Sequence, residues 1–240
     1  MTETIRAKIG FVSSGTGSSP HYASFTPLIP EDVRVDFEGL NLHEESLYEV
    51  AGKKHLIVSR VKDLVKEHSW QGVLVSAAPL EVLNPGLLVD LRAALSVPVT
   101  TALDACVAAL KAFSAKRVLL LTPFEERMNR MICDYLGEAG IVAVAPHPFR
   151  HLGDALKLNP DEIFELTSRA LKEVESVEAV YFQGAVLDPL KVLQRIEKDL
   201  RRTAVASNPA MLWFILRKLN LTYRIRGYGR LVDEWPALPL

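Results

Sequence analysis

The stretch GVLVSAAPL, residues 72–80, occurs again in altered form as AVYFQGAVL, residues 179–187. Each copy starts with an apolar run of strand length and ends in a turn of small residues, which is typical of a buried β-strand followed by a loop. The copies begin 107 residues apart, at residues 72 and 179. A repeat at this distance predicts a chain built from two related halves.

Two further pairs of segments follow the same order. AKIGFVSS, starting at Ala7, resembles AKRVLLLT, starting at Ala115, and VPVTTALDACVAALKAF, starting at Val97, resembles TAVASNPAMLWFILRKL, starting at Thr203. Three matched pairs with nearly equal spacing indicate an internal duplication. The alternative is that any two strand–helix units look alike.

Predicted strands alternate with predicted helices along the chain. The strands are residues 8–12, 33–37, 72–75, 98–101, 117–121, 141–145, 180–182 and 204–206, and the helices are residues 47–67, 87–95, 102–113, 125–138, 160–175, 189–202 and 210–219. This order predicts an α/β fold with two similar lobes, each a short parallel sheet flanked by helices, related by a pseudo-twofold axis and separated by a cleft. We expect residues 1–100 and 207–240 to form the first lobe and residues 101–206 the second.

The composition narrows the class of protein. Formal net charge is -1, with 28 Lys and Arg against 29 Asp and Glu, which argues against binding to nucleic acid or an anionic membrane. No apolar run approaches the ~20 residues that span a bilayer, and the N-terminus lacks a signal-peptide pattern. Two cysteines do not make a disulfide framework. We therefore expect a cytoplasmic protein, whose assembly into a homo-oligomer stays open.

The candidate site is the cleft, because ligands of parallel sheets bind beyond the carboxyl ends of the strands. Hydroxyl groups and backbone N–H groups in these strand-end loops are suited to hold a small carboxylate. The predicted substrate-binding residues are Ser13, Ser14, Gly15, Ser76, Ala77, Ala78, Thr122, Phe124, Gly184 and Ala185.

The chain also resembles a known group of enzymes. KIGFVSS (8–14), PVTTALDACVAALKAFSAKRVLLLTPFEERMN (98–129), SNPAMLWFILRKL (207–219) and RGYGRLVDE (226–234) are similar to segments of the aspartate/glutamate racemase superfamily, in its arylmalonate decarboxylase and maleate cis-trans isomerase branch. The resemblance implies carbanion or enediolate chemistry on a small carboxylic acid, without a cofactor or a metal. Members of that superfamily use one or two cysteines at the strand-end turns for proton transfer, since the pKa of a thiol can be lowered toward neutrality.

This chain departs from that pattern at both turns. The first reads Ser76-Ala-Ala-Pro79 and the second Phe182-Gln-Gly184, so that Gln183 stands where the resemblance implies the second cysteine. Cys106 and Cys133 lie inside predicted helices, where cysteine usually behaves as a small apolar residue. Gln183 can bind or orient a substrate, but its amide cannot act as the acid.

Proton transfer is then expected from histidines and carboxylates in two other segments. These segments are residues 39–46 and 147–154, and their candidates are His43, Glu45, His151 and Asp154, with Glu81 a further carboxylate that could point inward. A histidine beside a carboxylate suits acid–base catalysis near pH 7. The alternative is that polar loops and acidic helix starts carry such residues without any catalytic role.

Three functions remain open at this point. The first is a cofactor-independent decarboxylase or isomerase that acts on a small carboxylic acid. The second is a lyase or hydrolase with relocated histidine and carboxylate groups. The third is a protein that binds a small acid without catalysis.

Overall fold

The computed structural model describes residues 4–16, 21–146 and 149–239, and for residues 21 and 22 only the backbone. Its strands are β1 (Ala7–Ser13), β2 (Val33–Gly39), β3 (Gly72–Val75), β4 (Val99–Thr101), β5 (Arg117–Leu121), β6 (Val142–Val144), β7 (Ala179–Phe182) and β8 (Thr203–Ala206). Its helices are α1 (His21–Phe25), α2 (Lys54–His68), α3 (Ala78–Val82), α4 (Leu87–Ala94), α5 (Ala102–Ala112), α6 (Glu126–Glu138), α7 (Leu152–Ala155), α8 (Pro160–Glu173), α9 (Leu193–Asp199), α10 (Ser207–Lys218) and α11 (Arg230–Glu234). None of the helices in these residues is long and apolar enough to cross a membrane.

The strands form two parallel four-stranded sheets of the same topology. Their orders are β2-β1-β3-β4 and β6-β5-β7-β8. In each sheet the first strand in the chain is followed by its neighbour on one side, and the third strand then lies on its other side. The topological switch point therefore lies between β1 and β3 in the first sheet and between β5 and β7 in the second. Ligands of parallel sheets bind at the carboxyl side of such points. The predicted α/β fold of two lobes is confirmed.

Local sequence explains most element boundaries. Helix α8 begins at residue 160, as predicted, and the Asn159 side chain caps it by accepting hydrogen bonds from the N–H groups of Asp161 and Glu162 at 2.9 and 3.0 Å. The Glu162 carboxylate accepts the Asn159 N–H at 2.7 Å, and Pro160 takes the first helical position. This reciprocal cap satisfies N–H groups that the first helical turn leaves unpaired.

The predicted single helix over residues 47–67 is wrong, because the segment is divided in two. A short 3₁₀ helix, Leu47–Val50, is capped by Ser46 and Glu49, and Gly52 then adopts a φ of +70° before α2 begins. A left-handed glycine between two apolar segments ends helical continuity. The predicted helix over residues 189–202 is also shorter than expected, as α9 covers only Leu193–Asp199.

The helices that follow the last strand of each sheet pack against one another. These are α5 after β4 and α10 after β8, and α10 also contacts β3, β4 and β8. Trp213 in α10 is fully buried and donates its indole N–H to the Pro236 carbonyl at 2.9 Å. We propose that the boundary between lobes lies near residue 101, since β4 completes the first sheet there. The interlobe cleft is thus closed at its base by apolar packing.

Candidate functional site

A cavity of about 350 Å³ lies where the carboxyl ends of the two sheets face each other. Its lining comes from loops after strands of both lobes and from two neighbouring segments. These residues are Phe11, Ser13, Ser14, Gly15, Thr16, His43, Glu44, Leu47, Ser76, Ala77, Pro79, Ala102, Pro123, Phe124, Leu152, Gln183, Gly184, Ala185, Val186, Ser207, Asn208 and Met211. The cavity combines an apolar wall with several hydrogen-bonding groups, as is usual for small-molecule sites.

Two turns with matching backbones face the cavity. The N–H of Ser76 donates to the Val12 carbonyl at 2.8 Å, and the N–H of Gln183 donates to the Leu121 carbonyl at 2.9 Å. The residue that follows has a positive φ in each case, +80° at Ala77 and +97° at Gly184. Alanine rarely adopts a positive φ, and non-glycine residues with such strained backbone angles occur often at functional sites.

Ser14 and His43 form a hydrogen-bonded pair in the cavity wall. The Ser14 Oγ lies 3.1 Å from His43 Nε2. Their backbones are joined as well, because the N–H of Leu42 donates to the Ser14 carbonyl at 2.9 Å. Ser14 is buried, whereas His43 is half-exposed. The pair therefore joins the cavity to solvent through one imidazole ring.

The amide of Gln183 is oriented from behind by Tyr181. The Tyr181 hydroxyl donates to Gln183 Oε1 and is also hydrogen-bonded to the thiol of Cys106. All three side chains are at most 1% exposed. Because the Gln183 oxygen accepts the hydrogen bond from the Tyr181 hydroxyl, the two amide N–H donors are what this side chain can offer to a bound anion.

Thr122 lies behind the lining of the cavity, although it was predicted to bind substrate. Its hydroxyl donates to Asn129 Oδ1 and accepts the N–H of Phe124 at 3.0 Å. Asn129 in turn donates to the Phe124 carbonyl at 3.2 Å. Thr122 therefore holds the loop that places Pro123 and Phe124 in the cavity wall, and the described geometry gives it a positioning role.

Most of the predicted site residues are brought together by the fold. Those that line the cavity are Ser13, Ser14, Gly15, His43, Ser76, Ala77, Phe124, Gln183, Gly184 and Ala185. Ala78 is the first residue of α3 and lies just behind the lining. Roles in binding or catalysis for all of these remain predictions.

Three predicted catalytic residues lie away from this lining. Glu45 is exposed beyond His43, and His151 is exposed just before α7. The Asp154 carboxylate is paired with Lys157 at 3.0 Å, and this pair lowers its pKa. Of the short helix α7, Leu152 is the residue that reaches the cavity. His147, in the same predicted segment, lies outside the described residues.

Several lining residues were not predicted from the sequence. Ser207 and Asn208 follow β8, and Ala102 follows β4, so the rule that strand ends carry the site would have identified all three. Apolar members such as Leu47 and Met211 carry no such signal, because in the sequence they are ordinary members of helical patterns.

Hydrogen bonds between the lobes flank the cavity. Glu81 in α3 is buried and accepts the Tyr135 hydroxyl from α6 at 2.8 Å and the Thr101 hydroxyl. Burial raises the pKa of Glu81, although these two bonds oppose the rise. Glu81 is thus a contact between the lobes, outside the cavity lining described here.

A second interlobe contact joins Tyr48 to the start of α6. The Tyr48 hydroxyl donates to Glu125 Oε1, and the guanidinium of Arg127 lies 4.9 Å from the Tyr48 ring centroid. Burial and the neighbouring carboxylate raise the pKa of Tyr48 to about 12. Despite partial burial, bonds from Tyr48 and from backbone N–H groups lower the pKa of Glu125.

The polar part of the cavity consists mainly of neutral groups. Among the lining residues that the structure describes, His43 and Glu44 are the only ionisable side chains. An anion would therefore be held by hydroxyl, amide and backbone donors, as in an oxyanion hole. Within residues 4–16, 21–146 and 149–239 no three His, Cys, Asp or Glu side chains are grouped to hold a metal ion.

Neither cysteine is among the described lining residues. Cys106 is fully buried in α5, and burial raises the pKa of its thiol to about 12. Cys133 lies in α6, half-buried, and its pKa is also raised by burial and by Asp134. Thiols with raised pKa values are poor nucleophiles and poor proton carriers near neutral pH.

The chain is similar to known proteins in sequence and in fold. The sequence is 29% identical to arylmalonate decarboxylase of Bordetella bronchiseptica over 172 residues, which are 69% of this chain and 70% of that protein. It is 26% identical to maleate isomerase of Alcaligenes faecalis over 141 residues, 57% of this chain and 54% of that protein. The fold is that of unliganded arylmalonate decarboxylase, with a TM-score of 0.79 at 22% identity over 95% of this chain and 99% of that one.

The sequence model of the family described as arylmalonate decarboxylase matches residues 80–232. This range includes the second turn and the whole second sheet, and it begins after Ser14, His43 and Ser76. The chain belongs to the arylmalonate decarboxylase family.

Proposed function

We propose that this protein is a cofactor-independent enzyme that decarboxylates or isomerises a small carboxylic acid through an enediolate, without cysteine. The observation that carries the proposal is a cavity lined by one histidine, His43, and by the two strand-end turns. Family membership supports the reaction class. Neither strand-end turn contains a cysteine, which supports a proton carrier other than a thiol.

The substrate carboxylate would be held by the second turn. Gln183, Gly184 and Ala185 line one part of the cavity, and their side-chain amide and backbone N–H groups are the donors that we assign to the carboxylate. Donors fixed in advance stabilise the negative charge that develops when a carbanion is delocalised onto a carboxylate. The tether from Tyr181 to Gln183 favours this role, because it keeps the amide oxygen turned away from a negatively charged substrate.

His43 would carry the proton. In a decarboxylation the bond between the α-carbon and the leaving carboxylate breaks, carbon dioxide departs, and the electron pair is delocalised as an enediolate. His43 Nε2, directly or through the Ser14 hydroxyl 3.1 Å away, then returns a proton to the α-carbon. The half-exposed ring recovers its proton from water.

In an isomerisation that inverts the configuration of an α-carbon, or in exchange of an α-proton, the same groups would act twice. His43 would remove the proton and later return it, while the donors of the second turn stabilise the enediolate. Both reactions therefore require the same two elements, one mobile proton and one anion-binding turn.

A substrate panel with matched histidine variants tests this proposal. Aryl- and alkylmalonates, maleate and simple α-substituted acids are assayed for carbon dioxide release, isomerisation and exchange of the α-proton in deuterium oxide. His43→Gln should lower kcat by about 100-fold or more, the usual contribution of a general acid–base group. Alkylation of Cys133 should leave turnover unchanged.

The controls use histidines outside the cavity. His55→Gln, on the exposed face of α2, should retain wild-type kcat, and His151→Gln tests the other histidine predicted from the sequence. Loss of turnover in His151→Gln with full turnover in His43→Gln would contradict the assignment. Tight, saturable binding of one acid with no turnover would indicate a binding protein instead.

A further inference from the structure

We propose that Ser14 is a nucleophile activated by His43, so that the same cavity can transfer an acyl group from a small ester. This activity goes beyond the proposed decarboxylase or isomerase function. It concerns a different substrate class, a carboxylic ester, and a covalent intermediate on the protein. The hydrogen bond between Ser14 Oγ and His43 Nε2, at 3.1 Å, is the starting observation.

The pair has the arrangement that serine catalysis needs. A serine hydroxyl is a weak nucleophile until a base within hydrogen-bond reach accepts its proton. Ser14 and His43 both line the cavity, so that the attacking oxygen and the base meet where a substrate would lie. The buried position of Ser14 and the half-exposed position of His43 allow the ring to exchange protons with water during turnover.

Backbone hydrogen bonds fix the positions of Ser14 and His43 relative to each other. The carbonyl groups of Ser13, Ser14 and Gly15 each accept an N–H from residues 40–42, at 2.9, 2.9 and 3.0 Å. The Leu42 carbonyl accepts the ammonium of Lys53 at 2.7 Å, which fixes the chain directly before His43. Such bonds set the geometry before substrate arrives, and this preorganisation is what catalysis requires.

The neighbouring serine provides an internal contrast. The Ser13 hydroxyl donates to the Thr16 carbonyl at 3.3 Å, so its proton bonds within its own loop. Ser14, one residue on, is bonded to an imidazole nitrogen that can accept a proton. The geometry therefore selects Ser14 as the nucleophile in this loop.

Hydrolysis of an ester in this cavity would need water as its only other reactant. Ser14 Oγ attacks the carbonyl carbon of the ester while its proton moves to His43 Nε2, and the negative oxygen of the tetrahedral intermediate is stabilised by donors such as the N–H groups of Gly184 and Ala185. The C–O bond to the alcohol breaks, and the alcohol takes the proton from His43. Water then attacks the acyl-serine with His43 again as the base, which releases the carboxylic acid and restores Ser14.

The test combines burst kinetics with location of the adduct. With p-nitrophenyl acetate, wild-type protein should release a burst of about one p-nitrophenolate per chain, as expected for an acyl-enzyme. Mass spectrometry should place one acetyl group on the peptide that carries Ser14. Ser14→Ala should abolish the burst, and His43→Gln should slow it by about 100-fold or more. Ser59→Ala, an exposed serine on α2, is the matched control and should retain it.

Two further measurements separate loss of the nucleophile from loss of the fold. Thermal unfolding confirms that Ser14→Ala is folded, and Ser14→Cys, which preserves shape, should be acetylated on the new thiol. Acetylation confined to lysines or to Ser13 or Ser76, or a full burst in folded Ser14→Ala, overturns the inference. An acyl-enzyme without turnover of any acid refutes the proposed function alone, whereas acid turnover with no adduct refutes this inference alone.

Discussion

The turns Ser76–Pro79 and Gln183–Val186 occupy the same place in their respective lobes, yet they differ in what stands behind them. Each begins with an N–H bonded to the neighbouring central strand and continues through a residue with positive φ. In the alignment of the two halves Leu74 corresponds to Tyr181, so the first turn has an apolar residue behind it and the second has a hydrogen-bonded tyrosine. The duplicated part is thus the backbone, and the chemistry differs through the side chains that each half carries.

The largest effect is expected from Gly184→Ala. A Cβ at this position would lie 2.9 Å from Pro123 Cδ and 3.3 Å from Phe124 Cζ, and φ is +97°. Backbone strain and overpacking together should reduce the free energy of unfolding by about 2–4 kcal/mol. Urea unfolding measures this loss, and binding of a substrate acid should be lost with it, because the second turn must move.

Ala77→Gly is the reciprocal change in the first turn. Removing the Cβ relieves a φ of +80° but increases the freedom of the unfolded chain, so the net change should lie within about 1 kcal/mol. If Gly184→Ala proves as mild as Ala77→Gly, the two turns tolerate the same residues and the contrast drawn between them is wrong.

The next effect concerns the tyrosine behind the second turn. Tyr181→Phe removes the donor to Gln183 Oε1 and leaves buried polar atoms without this partner, which should cost about 1–3 kcal/mol of stability. The free amide of Gln183 can then rotate, so KM for a carboxylate should rise by more than kcat falls. Steady-state kinetics separate these two effects.

Cys106→Ala is the matched control for Tyr181→Phe. It removes the other hydrogen-bond partner of Tyr181 but leaves the bond from Tyr181 to Gln183. KM should therefore stay near the wild-type value while stability falls. An equal rise in KM in both variants would show that core packing, rather than amide orientation, accounts for the effect.

Much of the fold could be predicted from the sequence because strand and helix patterns depend on local periodicity. The eight predicted strands agree with the observed ones to within two residues at each end, and the predicted helix over residues 160–175 begins where α8 begins. The division of residues 47–67 could not be foreseen, because the apolar period continues through Gly52. A single glycine does not interrupt the apolar periodicity of the sequence, so its left-handed conformation is seen only in the structure.

The site was predictable only in part. Residues directly after strands were identified by their position, and so was His43, which the backbone of the first loop brings to Ser14. Polar residues outside the cavity lining, such as His151 and Asp154, carry the same sequence signal as His43, since periodicity does not reveal which side of a loop faces a cavity. The partner of Gln183 could not be foreseen either, because a tyrosine in a strand reads as packing.

The third prediction concerns Glu81, the carboxylate that follows the first turn. Burial raises its pKa, with Asp104 adding to the rise and Arg92 opposing it. The folded state therefore holds this proton more tightly than the unfolded state, and stability should fall as pH rises from the ordinary glutamate value, about 4.3, through the raised value. Glu81→Gln should remove this part of the pH dependence, as measured by urea unfolding at several pH values.

Glu67→Gln on the exposed side of α2 gives the same change in net charge and serves as the control. Only Glu81→Gln should alter the shape of the stability curve. Parallel curves for wild type and Glu81→Gln would show that the hydrogen bonds from Thr101 and Tyr135 just offset the cost of burying the charge.

The smallest effect is expected at Tyr48, the other interlobe hydroxyl. Tyr48→Phe removes the bond to Glu125 at a partly exposed position and should cost about 1 kcal/mol, less than Tyr135→Phe, whose partner Glu81 is buried. The pKa of Glu125 is lowered, so this contribution is present above the ordinary glutamate value and is lost as pH falls through the lowered one. The stabilities of wild type and Tyr48→Phe should therefore converge in acid. A difference that stays constant down to low pH would mean that the hydroxyl contributes independently of the charge on Glu125. No difference at any pH would mean that the packing of the ring against Arg127, rather than its hydroxyl, joins the lobes at this edge.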